Sequence, residues 1–133
     1  MYVHISSIQS RLQAALGAPW VVVDGAQAQD RRELPRADIR LAGASVLNSS
    51  GPRVTLQARY LLRLVACADG APALAQLDRA VDAAISALHH WAPPGAQDRL
   101  ALQGLSEVDH IDGSLWGYDL GFVLSAVRHG SNE

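Results

Sequence analysis

The sequence predicts an α+β domain, a mainly antiparallel sheet of about five strands with two helices packed on one face, in the order α-β-β-β-α-β-β. Three observations carry that expectation. The run Arg53 to Ala68, RVTLQARYLLRLVACA, places Val54, Leu56, Ala58, Tyr60, Leu62, Leu64 and Ala66 at every second position, with Thr55, Gln57, Arg59 and Arg63 between them. Two other stretches repeat their apolar residues at helical spacing. Leu115 to Arg128 alternates again, with Trp116, Tyr118, Leu120, Phe122, Leu124 and Ala126 on one face and Gly117, Asp119, Gly121 and Ser125 on the other.

Taken in order, Ile5, Ile8, Leu12, Ala15 and Leu16 define the first amphipathic helix, which Gly17 and Pro19 stop. Trp20 to Val23 reads as a short strand covered on both faces, because its four residues are all apolar and three are β-branched. Ala26 to Arg36 has no periodicity and carries Asp30, Arg31, Arg32, Glu33 and Arg36, which predicts a charged surface loop. Ala37 to Leu47 predicts a strand interrupted at Gly43, and Asn48 to Pro52 a turn into the long strand. At about 3.3 Å per residue that strand reaches roughly 45 to 50 Å, longer than a domain of this size usually contains. A bend, a bulge or a projecting end is therefore expected.

Leu74, Leu77, Val81, Ala84, Ile85 and Leu88 mark the buried stripe of a second helix from about Pro72 to Trp91, which Pro93-Pro94-Gly95 prevents from continuing. Its many alanines let it lie close to a neighbour. Arg99 to Val108 and Leu115 to Arg128 complete the strands, with Asp109 to Gly113 as the turn between them and His129 to Glu133 as a frayed end.

The 133 residues fit one domain, and 49% hydrophobic against 18% charged residues suffices for its core. With 11 basic and 13 acidic residues, no broad electrostatic case exists for a nucleic-acid or membrane surface. Every basic residue is arginine and none is lysine, which fits a GC-rich coding sequence and also suits planar contacts across protein interfaces. Cys67 is the lone cysteine, so no intramolecular disulfide or paired-thiol site can form. The start, MYVHISSIQSRLQAAL, lacks a charged leader followed by a continuous apolar core, and no apolar run is long enough to span a bilayer. The expectation is a soluble protein folded in a reducing cytoplasm.

Residues that could carry chemistry each have a plainer explanation. His89-His90 could supply a base or metal ligands, but adjacent helical side chains diverge by about 100°, and imidazoles suit the last turn of a helix. Asp109-His110-Ile111-Asp112 precedes Gly113 and reads as a turn. Ser6, Ser7 and Ser114 lack a nucleophile-elbow context, and no phosphate loop or dinucleotide fingerprint occurs. Asn48 matches a glycosylation acceptor by chance. Gly113, Gly117 and Gly121 have the spacing of a helix-dimer motif in surroundings that read as strand. Those glycines instead flatten one strand face, where another backbone or subunit could approach.

The segments AALG, PRADIRL, LHHWAPPGA and WGYDLGFVL, with the long strand and Ala-rich helix between them, resemble the Mu-like tail terminator or tail-completion proteins of tailed phages, prophages and phage-derived contractile particles. The resemblance is one of layout over nearly the full length. It implies an α+β subunit that forms a hexameric ring on the head-proximal end of a finished tail tube. Such a ring ends tube polymerisation and offers a docking surface to the neck, without cofactor, metal or active site. It also implies that charged loops face the tube or the pore, here Asp30 to Arg36 and Asn48 to Arg53.

The expected function is thus a structural virion assembly protein, not an enzyme, located in the tail and assembled in the host cytoplasm. Its expected partners are further copies of itself, the tail tube protein and a head-tail neck protein, with no specific nucleic acid and no membrane. Interface candidates are Arg31, Arg32, Glu33, Arg36, Arg53, Gly117, Asp119 and Gly121. The alternatives are another head-tail adaptor, a small hydrolase using His89 or His90 with Asp78 or Asp82, or a ligand-binding domain with an enclosed apolar pocket.

Overall fold

A computed structural model of the chain describes residues 1–25, 35–67, 71–108 and 115–130. A short 3-10 turn, Tyr2–His4, leads into helix α1, Ile5–Leu16. Then follow strands β1, Val21–Asp24, β2, Arg36–Ser50, and β3, Arg53–Cys67, helix α2, Ala71–Leu88, and strands β4, Ala101–Val108, and β5, Leu115–His129. The predicted element order holds.

The strands form one sheet in the order β1-β2-β3-β5-β4. Three of its pairings are antiparallel, whereas β1 runs parallel to β2, so the sheet is mixed. Parallel pairing requires a crossover rather than a tight hairpin, which accounts for the long connection from Gly25 to Pro35. Although β1 lies at the sheet edge, Val22 and Val23 are both buried, as the apolar run Trp20 to Val23 predicts.

Both helices cover one face. Ile5, Ile8 and Leu12 of α1 and Leu77, Ala84 and Leu88 of α2 share a core with Ile39, Tyr60, Leu62, Leu64, Leu120 and Phe122 of the sheet. A 12-residue helix is marginal alone, so α1 depends on burying those three side chains, each worth about 1.5–3 kcal/mol. The Tyr60 hydroxyl donates to the Met1 carbonyl at 2.5 Å, and burial pushes its phenol up to about 12. Arg11 ties the helices together: its Nε donates to the Ala87 carbonyl near the end of α2 at 2.6 Å, while its guanidinium lies 4.6 Å from the centre of the Trp91 ring.

Several boundaries differ from expectation. β2 continues through Gly43 to Ser50, absorbing its irregular sequence in register shifts at Leu41/Gly43 and Val46/Asn48, so the turn shrinks to Gly51-Pro52. Arg36 is the first residue of β2, opposite Val65, rather than part of a loop. α2 stops at Leu88 because His90 adopts a φ of +67° and its N–H turns to the Leu100 carbonyl at 2.7 Å. His129 still belongs to β5, and the Gly130 N–H donates to the Pro52 carbonyl. The expected turn from Asp109 to Gly113 and the last three residues lie outside the described residues.

The long strand does outrun the core. Ala58 and Leu124 are the last buried pair along β3 and β5, and beyond them the ends of β2, β3 and β5 continue as a three-stranded projection reaching Ser50, Arg53 and His129. Of the outcomes expected from the strand length, the projecting end is present; the bulges lie in β2, and β3 pairs with β5 without a register shift.

Candidate assembly interface

Opposite the helices, the sheet carries polar side chains on its open face. Arg63 and Asp119 occupy paired positions on β3 and β5, and the guanidinium grips the carboxylate through Nε to Oδ1 at 2.7 Å and Nη2 to Oδ2 at 2.9 Å. The hydrogen bonds that Arg63 donates to Asp119 raise the pKa of Arg63 further above its ordinary value. Asp119, 16% exposed, therefore does not leave the glycine face bare as its neighbours suggested. On the neighbouring strand β2, Asp38 lies directly opposite Arg63; Arg36 Nε is 3.2 Å from Asp38 Oδ2, while Asp38 Oδ1 is buried without a hydrogen-bond partner. A cavity of about 100 Å³ opens there between Gly25, Asp38, Arg40, Leu61 and Arg63.

The glycines do make a dent. Gly121 pairs with Gly104 of β4, and a methyl group added at Gly121 would come no closer than 4.0 Å to its nearest neighbour, the Gly104 nitrogen. At Gly104 an added methyl would meet nothing within 4 Å. Packing within the chain thus demands glycine at neither position. Gly117 sits opposite Val65, and Arg53 lies exposed at the tip of the projection, paired with Ser50 and His129. Arg36, Arg53, Gly117, Asp119 and Gly121 are therefore spread from the sheet centre to its far end, whereas Arg31, Arg32 and Glu33 lie outside the described residues.

The sheet edges are treated unequally. On β1, the Val22 N–H donates to Gln13 Oε1 and the Val22 carbonyl accepts from Gln9 Nε2, both at 3.1 Å. Gln13 Nε2 also donates to the Trp20 carbonyl at 2.8 Å. Two glutamines of α1 thus close that edge against a further strand. β4 is capped at its start, where the Leu102 N–H donates to His89 Nδ1 at 3.0 Å. Among the described residues, no strand pairs with the outer side of β4 or with β2 beyond Ile39.

The histidine pair takes structural positions. The His89 and His90 rings are 6.2 Å apart and tilted by 49°, and His89 Nδ1 is occupied by the β4 amide. Asp78 accepts from the Tyr118 hydroxyl at 3.4 Å. Among the described residues no three His, Cys, Asp or Glu side chains are grouped to hold a metal, and no helix is long and apolar enough to cross a membrane. A groove of about 590 Å³ runs between the start of α1 and β1, where the Tyr2 hydroxyl donates to Asp24.

These features define an α+β subunit with one mixed sheet, helices on one face and a polar open face. No family model matches the chain and no curated protein matches it. Among solved structures it is similar to a chain in the virion of a native gene transfer agent particle, with a TM-score of 0.63 and 16% identity, covering 92% of this chain and 93% of that one. At that identity the likeness is one of fold.

Proposed function

We propose that this chain is a structural protein of a phage-type particle, and that it caps the head-proximal end of the tail tube as a ring, a hexamer of identical subunits. The likeness of the whole fold to a virion chain, nearly end to end on both sides, is the observation that carries this reading. In this role the subunit ends tube polymerisation and presents a surface to the neck of the head. It works through repeated protein contacts and needs neither catalysis nor cofactor. Its partners are its own copies, the tube protein and a neck protein, and its location is the particle tail after assembly in the host cytoplasm.

Arg53 at the tip of the projection and Arg31, Arg32 and Glu33 in the charged segment are the residues assigned to the tube or neck. Arg36 is not a clean probe, since replacing it removes the ion pair of a partly buried carboxylate. The test is native mass by light scattering across a concentration series, with negative-stain imaging and a capping assay on purified tubes. Rings, or monomers that assemble only on tube ends, are expected. A monomer that neither binds nor caps tubes overturns the reading, and a ring that binds the neck protein but never the tube moves it to a head-tail adaptor.

A further inference from the structure

We infer that the ring closes by sheet augmentation: β4 past Leu102 in one copy pairs antiparallel with the outer edge of β2 in the next copy, beyond Ile39. The inference rests on the ring reading and names the surface that makes the ring. Four observations converge on it.

First, among the described residues the edge of β1 is closed, and β2 past Ile39 and β4 past Leu102 meet no further strand. Gln9 and Gln13 occupy the outward backbone groups of β1, but the described residues offer nothing equivalent to β2 past Ile39 or to β4 past Leu102. Second, those open edges lack the usual protection. Leu41 to Ser50 contains no charged residue, and β4 contributes only Glu107, so no like charges meet when the two are joined. Third, exposed large apolar side chains sit on these same strands: Val46 is 62% exposed and Leu47 53% on β2, and Leu105 is 50% exposed on β4. Val46 and Leu105 also share the helix side of the sheet, since they pair with Leu56 and Leu120, whose strands carry the core there.

Fourth, direction and height agree. Along the order β2-β3-β5-β4 the strands alternate, so β4 of one copy laid beside β2 of the next continues the antiparallel pattern. Within one copy Leu105 is level with Leu120, Leu62 and Ile39, where β1 blocks the edge of β2. A neighbour must therefore bind higher, at Val46, which is level with Leu56. From Leu62 to Leu56 is six residues of β3, an offset of about 20 Å at about 3.3 Å each. Four strand spacings of about 4.8 Å give a lateral step of about 19 Å. Offset and step together tilt the strands by about 45° from the ring axis, close to the range at which sheets close into barrels, so a flat ring forms without climbing into a helix.

The experiment joins Leu105→Cys with Val46→Cys, and separately with Ala44→Cys to allow for a two-residue slip, in a Cys67→Ala background that must itself still form the ring. Mild oxidation should give a ladder of covalent multimers up to ring size for one of the pairs, while each single-cysteine variant gives no ladder. A companion variant, Val46→Lys, should convert rings to monomers with unchanged circular dichroism, because Val46 is exposed in the subunit. Rings that neither crosslink nor respond to Val46→Lys overturn this inference and leave the capping role standing. Monomers that never assemble, in solution or on tubes, overturn both.

Discussion

At the scale of single residues, the Arg63–Asp119 pair is the best-defined polar feature of the open face, and its energy follows from its surroundings. A charged hydrogen bond in a protein contributes about 1.5–3 kcal/mol when well shielded, but Arg63 is 38% exposed and water competes for it. Asp119→Ala is therefore expected to cost about 1 kcal/mol, and a double-mutant cycle with Arg63→Ala should recover most of that as coupling. Denaturant titration of the monomer checks this, and additive single effects would mean that the pair contributes no more than two independent surface groups. Arg63 and Asp119 both fall on the interleaved polar side of their strands in the sequence, but the fact that they face each other does not. It depends on the β3–β5 register, which is set by Leu62 against Leu120 and Tyr60 against Phe122 across the core, contacts between residues far apart in the chain.

At the scale of elements, period and punctuation made the helices and strands legible. The alternation of Tyr60, Leu62 and Leu64 and the helical spacing of Ile5, Ile8 and Leu12 both correspond to buried faces in the fold. Boundaries were less legible where backbone geometry overrides the usual residue preferences. Gly43 looks like a strand breaker, yet its φ of +137° places it in a bulge through which β2 continues, and His90 ends α2 in a conformation normally given to glycine. The edge caps were invisible in sequence, because Gln9 and Gln13 look like ordinary solvent-facing positions of an amphipathic helix. Their position over β1 gives a direct prediction. Gln13→Ala frees the Val22 N–H and the Trp20 carbonyl, so it should lower stability by about 1 kcal/mol and make the β1 edge sticky. A rise in irregular aggregates beside normal rings is expected by light scattering; unchanged stability and unchanged association would show that water serves that edge as well as the glutamine does.

At the scale of the whole molecule, stability is distributed unevenly along the sheet, and assembly should redistribute it. Tyr60, Leu62, Leu64, Leu120 and Phe122 lie under both helices in the common core, so the hydrogen bonds around them open only when that core opens. The projection beyond Ala58 and Leu124 has no helix beneath it, and residues 46–53 are exposed throughout. Local fraying there should free the amides of residues 46–55 without unfolding the domain. Hydrogen exchange followed by mass spectrometry is therefore expected to be fast in the projection and slow at 58–65 in the monomer. In the ring, a neighbouring β4 on the outer edge of β2 should slow exchange at 41–50 and at 103–107 together, leaving the glutamine-capped edge of β1 unchanged. Rings in which 41–50 and 103–107 still exchange as fast as in the monomer would remove these edges from the subunit contact.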